Sequence, residues 1–306
     1  MSNSTPAADI KAPLLSYFGS KFRVAAWVIA HLPPHDTYIE PFGGSAAVLL
    51  QKARSRVEIY NDLDGEIVNL FRVVRDDVSR ERLVDALEST PYSRAEFDAA
   101  WNVTAEPIER ARRLCVRAQM GFGAMGSTRP LQSPTGFAAD VWVDGPGLWA
   151  RYPARLGAIG ARMRGVLIEN VPAVELIARH DAAGVLFYVD PPYFPESRSS
   201  AAHATRRDYR HEMTVMEHVD LLAMLVNLRG MAVVSGYASD VYEKTLVGWA
   251  RFSCSARAQG QGGSVARSEA LWVSPSACVA AGFEPGADVS LDSDDDMPLF
   301  SGMGRV

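Results

Sequence analysis

Asp190, Pro191, Pro192 and Tyr193 follow an apolar run of strand type, Val185 to Val189. The acid offers a carboxylate. The two prolines fix φ and, lacking N–H groups, offer only carbonyl acceptors in a stiff geometry. That set suits an exocyclic amine on a nucleobase, whose lone pair is delocalised into the ring. Acceptors that take both of its hydrogens favour a tetrahedral nitrogen with the lone pair free to attack an electrophilic methyl. Tyr193 supplies a flat face on which a base stacks, worth about 1–3 kcal/mol. The plainer reading is a buried strand that ends in a proline turn.

Two further stretches bear on the same chemistry. In YIEPFGGSAAV (38–48), Glu40, Pro41, Phe42, Gly43 and Gly44 form a tight turn between a strand and a helix, the outline of a nucleotide-binding crossover. Neither GxGxxG nor GxxxxGK[ST] occurs there, so the ligand need not present a pyrophosphate. In EIYNDLDGE (58–66), Asp62 ends the next strand, 19 residues after Gly43. An acid about 20 residues past the glycine turn accepts ribose hydroxyls; a helix N-cap at Asp62 or Asp64 is the alternative. A ribose without pyrophosphate points to adenosine joined to another group, and S-adenosyl-L-methionine fits.

These residues need a sheet to hold them. Strand patterns at 37–40, 56–61, 165–170, 184–190 and 230–235 alternate with helical patterns at 45–53, 66–76, 173–180, 214–228 and 238–247. A helix over 21–32 precedes them, and strands near 250–257 and 269–274 flank the loop ARAQGQGGSVARS. The fold class is therefore α/β: a Rossmann-like, mostly parallel sheet of seven strands, the last two an antiparallel pair. Between 79 and 164 the alternation stops, and helical stretches lead into GFGAMGSTRPLQSPTG. We read 91–164 as an inserted, mostly helical subdomain, with the catalytic domain at 13–90 and 165–281. Residues 1–12 and 282–306 read as disordered tails.

Composition narrows the class. Nothing resembles a signal peptide or a membrane span. The cysteines Cys115, Cys254 and Cys278 lie far apart, and the six histidines form no HExxH pair, so no metal is expected and a cytoplasmic chain is. The net charge of −5 resides in the tail after residue 282, where six acids face Arg305 alone. Elsewhere the arginines cluster: four over 149–168 with no acid, and four over 194–211.

The segments YFGSK (17–21), EPFGGS (40–45), NDLD (61–64), DPPY (190–193) and SGY (235–237), in that order, resemble the Dam-like (D12-type) DNA amino-methyltransferases, most closely the phage and prophage adenine-N6 enzymes. The resemblance spans 14 to about 275 and is weakest over 90–164. It implies an S-adenosyl-L-methionine-dependent methyltransferase acting on a flipped adenine in double-stranded DNA, with 91–164 as the target-recognition segment. It places Tyr17, Phe18, Gly19, Lys21, Glu40 to Gly44, Asp62, Asn170 and Asp190 at the cofactor, and Asp190 to Tyr193 at the target base. Pro172 stands where relatives often carry an acid. Arg117 and Arg129 of the insertion, with Arg110, Arg112 and Arg113, would reach base edges. Arg198, Arg206, Arg207 and Arg210 would reach phosphates.

No Pro-Cys pair of the cytosine-C5 enzymes occurs, and no nuclease motif, so a solitary modification enzyme is expected. The alternatives are a cytosine-N4 enzyme, which more often has Ser in place of Asp190, an RNA or protein-amide methyltransferase, where Asn is commoner, and a catalytically silent nucleic-acid-binding module. The tail DSDDDMPLF (292–300) resembles peptides that dock into the bacterial sliding clamp, with Asp296 in place of the usual glutamine; folding of Leu299 and Phe300 onto the protein's own surface is the alternative.

Overall fold

The computed structural model describes residues 10–139, 143–193, 209–260 and 263–291. Eight strands form one sheet: β1 Thr37–Glu40, β2 Val57–Asn61, β3 Leu167–Glu169, β4 Val185–Val189, β5 Met231–Gly236, β6 Ala250–Gly260, β7 Gly263–Val273 and β8 Asp288–Leu291. Their order is β3-β2-β1-β4-β5-β7-β6-β8. The first five run parallel, and β7 lies antiparallel between β5 and β6.

Strand alternation splits the core into two layers, one on each face. Tyr38, Tyr60, Leu186, Tyr188 and Val233 face the first. Their neighbours Ile39, Ile59, Phe187, Val189 and Val234 face the second. Burial on both faces is why these strands read as unbroken apolar runs. Helix Val215–Val226, entered through a Thr214–Glu217 capping box, covers the second layer with Leu221, Leu222 and Leu225. The first is covered by Gly65–Arg75 and by the helices that follow it, Asp77–Glu88, Arg94–Ala99, Pro107–Met120, Gly145–Arg151 and Arg155–Met163. Leu83, Phe97, Leu114, Trp149 and Leu156 join the same core as Tyr38 and Tyr60. The inserted helices thus complete one face of the sheet.

Three expectations need correction. Among the described residues the sheet has eight strands instead of seven. β8 pairs parallel with β6 within the stretch read as a disordered tail, and helix Pro275–Ala281 leads up to it. The stretch read as the loop ARAQGQGGSVARS continues both flanking strands, with pairing that runs to Gly260 opposite Gly263. Residues 1–9 and 292–306, including the clamp-like peptide, lie outside the described residues.

β1 has β2 on one side and β4 on the other, so the chain leaves it outward in one direction and resumes in the opposite direction. That switch point opens a crevice beyond the carboxyl ends of β1 and β4. Glu40 closes β1 and Asp190 follows β4, one on each side of it.

Candidate active site

A cavity holding about 1060 Å³, counted with its open mouth, occupies the crevice. Its walls bring together Tyr17 to Lys21, Glu40 to Ser45, Asp62, Asp190 to Tyr193 and the 209–213 segment. Every expected catalytic and cofactor residue except Asn170 lies on it. Asn170 is exposed; its side-chain amide donates to the Asp62 and Leu63 carbonyls at 2.7 and 3.1 Å and so braces the wall from behind.

The glycine turn is shaped by what lies beneath it. A Cβ on Gly43 would stand 2.2 Å from the Tyr60 ring, so no side chain fits there. Gly44 takes φ +46°, and its carbonyl accepts from the Tyr60 hydroxyl at 2.8 Å. Asn61, fully buried, donates to the Pro41 and Val171 carbonyls at 2.8 and 3.0 Å, tying the turn to the segment after β3. Ser20 and Ser45 share a hydroxyl–hydroxyl bond of 2.8 Å.

Asp62 accepts the Gly44 N–H on Oδ2 and the Asp64 N–H on Oδ1, both at 2.8 Å. Each carboxylate oxygen has two lone pairs, so one on each remains for a hydroxyl ligand. Burial, then the nearby Asp64 charge, pushes its pKa up to about 6. Asp64 also serves as the N-cap of helix Gly65–Arg75, through Glu66 N–H at 2.9 Å, and it pairs with Arg210. Glu40, 2% exposed, takes the Tyr38 hydroxyl at 2.7 Å and the Leu49 N–H at 2.8 Å on Oε1. Burial raises its pKa to about 7.

At the other wall, the buried Lys21 ammonium lies 2.9 Å from Asp190 Oδ1 and donates to the Tyr193 hydroxyl at 2.8 Å and the Gly19 carbonyl at 3.2 Å. Burial opposes its charge, yet Asp190 and then Glu269 raise its pKa well above the ordinary value. Burial raises the Asp190 pKa and Lys21 counteracts it. Tyr193 is 7% exposed and packs against Tyr237, ring centroids 4.5 Å apart. A base stacking on Tyr193 must use the part of the ring that Tyr237 leaves open. Glu269, inside β7, joins this site although no motif marks it; its neighbours are set by sheet order.

The arginines fall elsewhere. Arg117, expected to reach DNA, is 1% exposed: it donates to the Ala100 carbonyl and pairs with Glu66, as the sheet-covering role of its helix requires. Arg110 also pairs with Glu66, Arg112 with Glu109 and Glu96, and Arg113 with Glu109. Arg129 is buried, and its carbonyl accepts from Arg210 at 3.1 Å. Arg210 stands at the cavity wall, paired with Asp64, instead of in open solvent. Arg198, Arg206 and Arg207 lie outside the described residues. Among the described residues, no helix is long and apolar enough to cross a membrane.

Comparison with known proteins finds likeness over part of the chain. The type II methyltransferase M.MjaIII of Methanocaldococcus jannaschii is 33% identical over 86 residues, which is 25% of this chain and 29% of that protein. The chain thus spans under a third of the length of the curated relative it matches. Residues 17–114, which carry Lys21, the glycine turn and Asp62, match the model of the D12 class N6 adenine-specific DNA methyltransferase family.

Proposed function

We propose that this protein transfers a methyl group from S-adenosyl-L-methionine to the exocyclic N6 of an adenine rotated out of double-stranded DNA. The observation that carries the reading is the meeting of Asp62 and Asp190 across one cavity at the switch point, with the Glu40–Gly44 turn between them. The cavity fits the cofactor by its donor set: Asp62 keeps a lone pair on each oxygen for a ribose, and the turn admits close backbone approach at Gly43 and Gly44.

When bound, the cofactor supplies an electrophilic methyl on a sulfonium. The chain's own residues do the rest. Asp62 holds the ribose, and Tyr17 and Phe18 flank the adenosine. Asp190 and the Pro191 carbonyl accept the two amine hydrogens and free the nitrogen lone pair. Tyr193 stacks on the base in place of its former neighbours, against an unstacking cost of a few kcal/mol. Buried in the wall, Asp190 is a stronger proton acceptor than a solvated carboxylate, and it takes the proton that the amine loses. Arg206 and Arg207 are the arginines proposed to meet phosphates.

The test is mass spectrometry of nucleosides from random-sequence duplex incubated with the protein and S-adenosyl-L-methionine. N6-methyldeoxyadenosine is the expected product. N4-methyldeoxycytidine would move the reading to the cytosine amine, and no methylated nucleoside would overturn it.

A further inference from the structure

Glu269 sits in no motif, yet the β5–β7 pairing, Gly236 opposite Ala270, delivers its carboxylate to the Lys21–Asp190 pair. The three donors of the Lys21 ammonium are already assigned, to Gly19, Tyr193 and Asp190. Glu269 Oε2 is a fourth group, 3.8 Å from Nζ. That oxygen is buried and accepts no hydrogen bond among the described residues. Its partner Oε1 stands 3.5 Å from the Tyr193 hydroxyl. A buried carboxylate oxygen without a donor is costly, and one beside an ammonium whose donors are all in use calls for a second arrangement.

Methyl transfer supplies the occasion for one. Resting on the proposed function, the target amine needs Asp190 as acceptor, and Lys21 holds Asp190 Oδ1. Withdrawal of the buried ammonium without another anion would leave it unpaired, which is strongly unfavourable. We propose that Glu269 is a positioning residue that takes over the Lys21 ammonium as the target amine engages Asp190. The move is small: closing 3.8 Å to a charge-assisted bond of about 2.8 Å displaces the end of a flexible side chain by about 1 Å. No bond is made or broken in the exchange, and the site keeps its net charge.

Single-turnover methylation of duplex DNA by the full chain tests this. Glu269→Gln keeps the shape and removes the charge; the rate constant falls about tenfold or more, while affinity for S-adenosyl-L-methionine stays the same. A merely structural role would lower the amplitude, which counts active protein, and leave the rate constant alone. Glu269→Asp keeps the charge and recovers part of the rate. In a Lys21→Met background, where no ammonium needs a second anion, Glu269→Gln costs less than about twofold. A rate constant unchanged in both Glu269 variants overturns the exchange, as does an equal loss with and without Lys21. A wild-type chain that methylates no duplex overturns the proposed function, and the exchange with it.

Discussion

Two charged regions of this molecule are both largely withdrawn from water, and they treat carboxylates in opposite ways. In the helical region beside the sheet, charges are matched. Arg162 grips Glu58 with two bonds, 2.6 and 2.8 Å, while Lys52 adds a third at 2.9 Å. Burial opposes the Glu58 charge, yet these partners hold its pKa below the usual value. Hydrogen bonds from Arg112 and then Arg113 hold Glu109 at about 2. Among the described residues at the cavity and around Lys21, carboxylates exceed cations: Glu40, Asp62, Asp64, Asp190 and Glu269 stand with Lys21 and Arg210. There burial pushes Glu40 to about 7 and Asp62 to about 6. A matched network has no acceptor to spare, so it holds helices together. An excess of carboxylate keeps acceptor capacity for a ligand's hydroxyl and amine hydrogens, at a cost in stability.

The sharpest test of the comparison is Asp190→Ala. It removes an acceptor that acts on the reacting amine, so methyl transfer drops by on the order of 4 kcal/mol, about a thousandfold. Cofactor affinity by calorimetry stays nearly constant; wild-type turnover would show that the cavity's surplus does not include Asp190. In the matched region, Arg162→Ala leaves Glu58 buried without its main partner and destabilises the fold by about 3 kcal/mol. Denaturant unfolding reads that loss, and the protein that remains folded transfers methyl at the normal rate.

Asp62→Ala removes a charged acceptor and weakens S-adenosyl-L-methionine binding by roughly 1.5–3 kcal/mol. Calorimetry without DNA checks it, and unchanged affinity would reassign Asp62 to bracing the turn. Glu40 offers a pH test. Its folded pKa of about 7 stands above the ordinary 4.5, so the folded chain holds the proton more tightly. The contribution is fully present below about pH 4.5 and is lost as pH rises to about 7. Glu40→Gln therefore flattens the stability–pH curve of the protein between those values and makes the variant the more stable form at pH 8. Smallest of all is Arg113→Ala. A partly exposed, internally paired arginine is worth about 0.5 kcal/mol of stability, and its loss leaves the salt dependence of DNA binding unchanged. A slope smaller by about one unit would mean that the residue meets a phosphate after all.

Much of the candidate site was legible because its residues sit at the ends of recognisable elements. Asp190 follows an apolar strand, and Asp62 follows the strand after the glycine turn; type and spacing alone placed both on one crevice. Arg110, Arg112, Arg113 and Arg117 misled for a simple reason. A cluster of like charge in sequence says nothing of Glu66, Glu96 and Glu109, which neutralise it from the same helix and from others.

What the sequence by itself determined is the part that depends on local chemistry: the alternation of strands and helices, the turn that demands glycine at 43 and 44, and the carboxylates at strand ends. Only the tertiary structure decided which strands are neighbours. Sheet order brought Glu269 to Lys21, drew Asp288–Leu291 out of an acidic tail to pair with β6, and carried the paired strands to Gly260 and Gly263. Backbone pairing at a sheet edge satisfies N–H and C=O groups whatever the side chains are, so a polar stretch becomes a strand wherever a neighbour is there to receive it.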